Sequence, residues 1–161
     1  MGEASTPKAT IVVPVYNSAS SIQRCLDSLL AQSERSIQVV CINDGSADDS
    51  LSILRQIAQN DDRVLVIDQA NAGVSCARNA GIDAAGGEVV FFVDADDYID
   101  AQTVERVLQA MGSSDAEVAV FGGVCEPADA APKRVQQLMS PNADTFGTRD
   151  PQLLFHANAQ P

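Results

Sequence analysis

Four short stretches of the chain are apolar at nearly every position: IVVPV (11–15), VVCI (39–42), VLVI (64–67) and VVFFV (89–93). A strand with one wet face alternates apolar and polar residues, so unbroken runs of this kind belong to strands buried on both sides. Between them lie patterns of helical period. Ile22, Cys25, Leu26, Leu29 and Leu30 fall at i, i+3, i+4, i+7 and i+8, the stripe of a helix lying on a sheet. Leu51, Leu54 and Ala58 repeat that spacing, with Ser46 and Asp49 ahead of them at capping-box separation. A third helix is entered through Gly73 and left near Gly86 and Gly87, and a fourth turns Val104, Val107, Leu108 and Met111 inward. Strands are therefore expected over 9–17, 36–44, 63–69 and 88–97, with a fifth over 116–124. Strictly alternating strands and helices predict an α/β domain, a mostly parallel sheet with helices on both faces.

In such a sheet ligands bind beyond the carboxyl ends of the strands. Those ends carry Tyr16-Asn17, Asn43-Asp44-Gly45-Ser46 and Asp94-Ala95-Asp96-Asp97, while Asn71 and Gly73 lead into the helix that bears Arg78. Four polar clusters distant in sequence thus converge on one rim. Most have an ordinary structural reading as well. Tyr16 could cap the core, Asp44 could be a turn residue before Gly45, and Asn71 with Gly73 could be no more than a helix entry. Arg78 could pair with Asp83 or Glu88, and Asp100 reads as the N-cap of the helix carrying Val104. The acids at 94, 96 and 97 exceed what one cap needs. Two carboxylates about 5 Å apart repel by roughly 3 kcal/mol at an effective dielectric near 20. A hard cation held by oxygen ligands, Mg²⁺ or Mn²⁺ shared with substrate phosphates, is the economical explanation.

Composition narrows the partners. A net charge of -12 leaves no basic surface for nucleic-acid phosphate. A phosphate-bearing small molecule remains compatible, because a bound divalent cation reverses the local sign. Cys25, Cys41, Cys76 and Cys125 show no C-x-x-C pair and read as buried free thiols in a reducing compartment. Residues 1–8 form a tail without the apolar core of a signal peptide, and no apolar run approaches the roughly 18 residues of a membrane span, so a cytosolic domain is expected.

Taken together, IVVPVYN, CINDGSADDS, NAGVSCARNAGID and GGEVVFFVDADD resemble, in order and spacing, the family 2 glycosyltransferases, inverting nucleotide-sugar-dependent enzymes of the GT-A fold. The resemblance runs from about Ala9 to Asp100 and implies specific roles. Tyr16 would lie against a uracil ring, with Pro14 and Val15 lining the base site. Asp44 would accept a hydrogen bond from the base N3–H, and Asn43 stands where the family's usual Asp-Asp has its first acid. Gly73 would let the backbone pass close to the nucleotide, and Arg78 would approach the diphosphate. Asp94, Ala95 and Asp96 form the D-x-D motif that holds ribose and metal, with Asp97 as a further carboxylate; the implied cofactor is Mn²⁺ or Mg²⁺. The implied partners are a nucleotide-sugar donor, UDP-linked by resemblance, and a saccharide or lipid-linked acceptor.

The resemblance also implies a general base downstream of D-x-D, and Asp115, Glu117, Glu126 and Asp129 do not stand in the family's motif for it. His156, the only histidine, reads as a surface residue. On this reading 9–124 is the nucleotide-sugar-binding domain, while 125–161 is a loop and the start of an acceptor-side region, with a helix beginning near 148. The chain is then expected to be the donor-binding part of a longer enzyme, cytoplasmic or at the inner face of a membrane, transferring little alone. An uncovered sheet edge favours self-association as a homodimer. A non-catalytic nucleotide-sugar-binding module would use the same residues. Other classes fit poorly. VPVYNSAS lacks the G-x-G-x-x-G of dinucleotide enzymes, no P-loop is present, and the D-x-D follows the fourth strand rather than the first, as a haloacid-dehalogenase-like phosphatase requires. A receiver module would want acids after strand one and a lysine after strand five, where this chain has Tyr16-Asn17 and Gly122-Gly123.

Overall fold

The computed structural model describes residues 6–114 and 116–120. Strands and helices alternate as the apolar runs predict: β1 (Ala9–Val15), α1 (Ile22–Leu30), β2 (Ile37–Asp44), α2 (Ser50–Ala58), β3 (Val64–Gln69), α3 (Val74–Asp83), β4 (Val89–Phe92) and α4 (Thr103–Gly112). The strands form one parallel sheet in the order β3-β2-β1-β4. β1 pairs with β2 from Ala9↔Ile37 to Val15↔Asn43, and with β4 from Ala9↔Val89 to Val12↔Phe92. The chain falls into two compact units, Met1–Leu108 and Gln109–Pro161, with the boundary inside α4. The sheet and its rim belong entirely to the first.

The two central strands are buried almost throughout, as their unbroken apolar runs demand. Val12, Val40 and Ile42 face α3 and pack with Ala77. The alternate residues Ile11, Val13, Val39 and Cys41 point the other way and are fully buried as well. α2 packs on β2 and β3 and touches α1, whose predicted stripe of Ile22, Cys25, Leu26 and Leu29 is buried. α3 lies close to the sheet because Gly81 allows it: a Cβ there would stand 2.2 Å from Val12 Cγ1 and 2.9 Å from Ile42 Cδ1. The outer strands β3 and β4 are only partly buried.

Pro14 sits in a central strand without cost to the ladder. Val12 O accepts from Val93 N at 3.1 Å, so even-numbered residues of β1 hydrogen-bond toward β4, and β4 ends at Phe92. The missing N–H of Pro14 falls where that flank has no strand to pair with. β1 and β4 part at this point, at the carboxyl end of the sheet.

Three expectations change. Ser46 and Asp49 do not form a capping box. Asp49 occupies the N-cap position of α2 without a side-chain cap bond, while Asp48 Oδ1 accepts from Ser50 N at 3.0 Å. The predicted fifth strand does not form over 116–120, and its remaining residues lie outside the described ones. Cys25 and Cys41 are buried as expected, but Cys76 is exposed. Cys125, His156, the 126–147 loop and the helix near 148 also lie outside the described residues.

Candidate functional site

The rim clusters meet, and hydrogen bonds between loops tie them together. After β1, Asn17 N donates to Ser46 Oγ (3.0 Å) and Asn17 Oδ1 accepts from Ala47 N (2.8 Å). Ser18 N donates to Ser50 Oγ (2.8 Å) and Ala19 N to Asp48 Oδ2 (2.9 Å). The loop after β2 is in turn packed against the loop after β3: a Cβ on Gly45, whose φ is +70°, would lie 2.7 Å from Asn71 N. Tyr16 projects from this corner with 55% of its surface exposed, whereas Val15 beneath it is buried, as is Pro14. A core-capping role for the Tyr16 ring is thereby set aside.

Asp44 does more than turn the chain. It is 3% exposed, and Oδ1 accepts from Gln69 Nε2 (2.7 Å) and Ala72 N (2.9 Å) while Oδ2 accepts from Gly73 N (2.8 Å). α3 has Gly73 at its N-cap position with no side chain of its own to cap it, so the carboxylate of Asp44 serves from across the rim. Gly73 has φ +88°, a left-handed value that an L side chain adopts only under strain, and this rather than crowding requires glycine there. Burial pushes the Asp44 carboxyl up, but the three donors outweigh it and hold it below the ordinary carboxylate value. A carboxylate offers about four lone-pair positions, so Oδ2, with one donor, keeps room for another.

Arg78 pairs with neither Asp83 nor Glu88. Its Nη2 lies 2.7 Å from Asp94 Oδ1, joining α3 to the segment after β4, and its buried Nε has no partner among the described residues. That segment is held from below by one side of α1. Arg24 Nη2 donates to Asp96 O (3.3 Å), with its guanidinium 4.5 Å from the Tyr98 ring centroid. Cys25 Sγ approaches Asp94 O (3.6 Å), and Ser28 Oγ accepts from Ile99 N (3.2 Å). Fully buried Gln32 donates to Asp100 O (2.8 Å) and accepts from Val104 N (3.0 Å). Asp100 is not the N-cap of α4, which begins at Thr103; its Oδ1 accepts from Gln102 N and tightens the turn just before the helix. The sequence reading of α1 found its apolar stripe and missed this polar flank. Gln32, a glutamine just past the helix end and aligned with Ser28, was the available signal.

The acidic triplet is crowded, though not assembled as a metal site. Burial raises the Asp97 carboxyl, and Asp96 and Asp94 raise it further, against a lowering by Arg24. Burial likewise pushes the Cys25 thiol up to about 12, with Asp97, Asp96 and Asp94 adding to it. Among the described residues, however, no three His, Cys, Asp or Glu side chains are placed to hold one ion. Of the expected trio Asp94, Asp96 and Asp97, Asp94 turns its Oδ1 to Arg78. The donor set itself suits a hard cation, carboxylate oxygens whose crowding raises Asp97. No helix among the described residues is long and apolar enough to cross a membrane.

Comparison with known proteins agrees with this architecture. The family model described as Glycosyl transferase family 2 matches residues 10–159. Glycosyltransferase GlyA of Streptococcus pneumoniae is 42% identical over 113 residues, covering 70% of this chain and 16% of GlyA. Crystallised S. aureus TarS 1-349 in complex with UDP superposes with a TM-score of 0.66 at 31% identity, covering 71% of this chain and 35% of that one. The mannosyltransferase PcManGT from Pyrobaculum calidifontis, in complex with GDP-Man and Mn²⁺, gives 0.63 at 26% identity over 78% of this chain and 38% of its own. The chain thus spans about a sixth of GlyA and little more than a third of either crystallised chain.

Proposed function

Since the chain belongs to glycosyl transferase family 2, we propose that its rim binds a nucleoside diphosphate sugar, UDP-linked, for inverting transfer to an acceptor hydroxyl. The observation that supports this most is the linkage of four strand-end clusters through Asn17–Ala47, Asp44–Gly73 and Arg78–Asp94. Linked loops hold these side chains in one arrangement, and TarS, whose fold is similar, was crystallised with UDP.

In this reading the exposed Tyr16 ring lies on the base and Pro14 and Val15 form the floor beside it. Asp44 Oδ2 accepts the base N3–H with its remaining lone pair, and the left-handed turn at Gly73 keeps the backbone near the nucleotide. The part-exposed guanidinium of Arg78 donates to the diphosphate. Asp94 and Ala95 line the ribose, and Asp96, with Asp94 and Asp97, holds Mn²⁺ or Mg²⁺. A cation held by these carboxylates would supply positive charge to offset that of the departing nucleoside diphosphate. The acceptor proton goes to a carboxylate outside the described residues, and the acceptor is a saccharide or lipid-linked sugar. The setting is cytoplasmic.

Isothermal titration of UDP with and without Mn²⁺, using wild type and Asp96→Asn, tests the reading. Binding that needs the cation and is lost in the variant is the expected result. Folded wild-type protein that takes up no UDP in the presence of Mn²⁺ would overturn the assignment.

A further inference from the structure

Tyr16 and Asp44 lie on different strands, so the gap between them is a matter of how two loops are joined. β1 and β2 run in register up to Val15↔Asn43, and beyond that pair the chains leave the sheet. The next residue but one, Asn17, is the only non-glycine residue with positive φ among the described residues, at +49°. Asparagine tolerates that region better than most side chains, yet a left-handed residue still stores strain that its surroundings must hold. The surroundings do so from one place, the loop that follows Asp44. Asn17 is bonded through its backbone N–H to Ser46 Oγ and through its side-chain Oδ1 to Ala47 N. Two further bonds, Ser18 N to Ser50 Oγ and Ala19 N to Asp48 Oδ2, extend the same clip. Asp48 is tied at its other oxygen to Ser50 N, so it cannot swing away without releasing the first turn of α2.

We infer that Asn17 is a positioning residue for nucleobase selectivity: by clipping the Tyr16 loop to the Asp44 loop it fixes the distance between a stacking face and a hydrogen-bonding edge. The inference rests on the donor reading above and deepens it. A purine and a pyrimidine, or uracil and cytosine, offer similar faces to a tyrosine ring. They are told apart only if the edge meets Asp44 while the face stays on Tyr16. Uracil presents an N3–H to a carboxylate, whereas cytosine presents a bare N3 acceptor there, so the UDP:CDP affinity ratio reports this registration. A general loosening of the protein would weaken both nucleotides alike and leave the ratio unchanged.

The experiment measures UDP and CDP affinities by titration in Mn²⁺ for wild type, Asn17→Ala, Asn17→Gly and Asn17→Asp, each checked for folding by thermal melt. Asn17→Ala loses the acceptor for Ala47 N and the tolerance of positive φ, and its preference for UDP is expected to shrink about tenfold, with CDP nearly unaffected. Asn17→Asp keeps both properties and should restore most of the ratio. Should Asn17→Ala fail to fold, Asn17→Gly, which accepts the backbone and lacks only the side-chain bond, carries the comparison with a smaller loss. An unchanged ratio in the folded variants, or a wild type indifferent between UDP and CDP, overturns the inference while leaving donor binding intact. A folded wild type that binds neither nucleotide overturns the donor reading, and this inference with it.

Discussion

Replacing Asp44 by asparagine tests the rim where it is most tightly determined. The carboxylate is almost wholly buried and takes three donors, two of them the backbone N–H groups of Ala72 and the N-cap residue Gly73, just ahead of α3. Asparagine keeps one acceptor oxygen and places an NH₂ group where the other stood. If the oxygen stays with Gln69 and Ala72, Gly73 N–H faces a donor instead of an acceptor, an unsatisfied buried group worth about 1–3 kcal/mol. Removing a negative charge from the helix N-terminus costs about 0.3–1 kcal/mol, and up to roughly 2 in a partly buried setting. These contributions share one site and do not simply add, so a loss of about 2–4 kcal/mol is expected. The pH dependence has a definite sign. The folded carboxyl titrates below its unfolded value, so its contribution is complete above an unfolded pKa of about 3.9 and is lost as pH falls through the lower folded value. Urea denaturation of both proteins should show a gap that is steady from pH 5 to 7 and narrows in acid. A gap under about 0.5 kcal/mol at pH 7, or one that ignores acidification, would refute the capping role and the weight given to it.

Other perturbations probe neighbouring parts. Gly81→Ala forces a methyl into Val12 and Ile42 and should cost about 1–3 kcal/mol in urea denaturation, although alanine is the better helix former. Arg78→Met breaks a part-exposed pair with Asp94, so stability should fall by about 1 kcal/mol or less while UDP affinity falls markedly; equal loss of both would make the arginine merely structural. Asp97 titrates above its ordinary value in the fold, so its ionisation penalises the folded state as pH rises through that value. Asp97→Asn without added cation should therefore melt higher than wild type at pH 7, with the two converging toward pH 4. A variant that melts no higher at pH 7 would remove the crowding argument.

The sheet was legible because burial on both faces writes itself directly into sequence as unbroken apolar runs, and IVVPV and VVCI became the two central strands. The gathering of Tyr16, Asp44, Gly73, Arg78 and Asp94 followed from strand order alone. What sequence could not give was partner choice among polar side chains. Ser46 and Asp49 have capping-box spacing, but the loop after β1 lies within reach and claims Ser46, while Asp48 serves α2. Local spacing cannot anticipate a competitor 29 residues away. Arg78 illustrates the same limit, since its sequence neighbours Asp83 and Glu88 lost to Asp94 across the rim. The fifth strand was inferred from apolar content, yet Val118 and Val120 are exposed and 116–120 joins no ladder.

The place of β1 in the sheet also bears on how the chain is made. β2 follows β1 closely and covers one flank, but the other waits for β4, whose entry glycine bonds Thr10 across 77 residues. At about 5–20 residues per second, a ribosome leaves that flank of the most fully buried strand open for several seconds after β1 emerges. During that interval β1 presents unpaired backbone groups to any neighbouring nascent chain. The first 87 residues already carry ten acidic against six basic side chains, a net charge of -4 that makes unfinished copies repel one another while the strand waits. The acidity that sets the surface charge of the finished domain thus also guards its unfinished one.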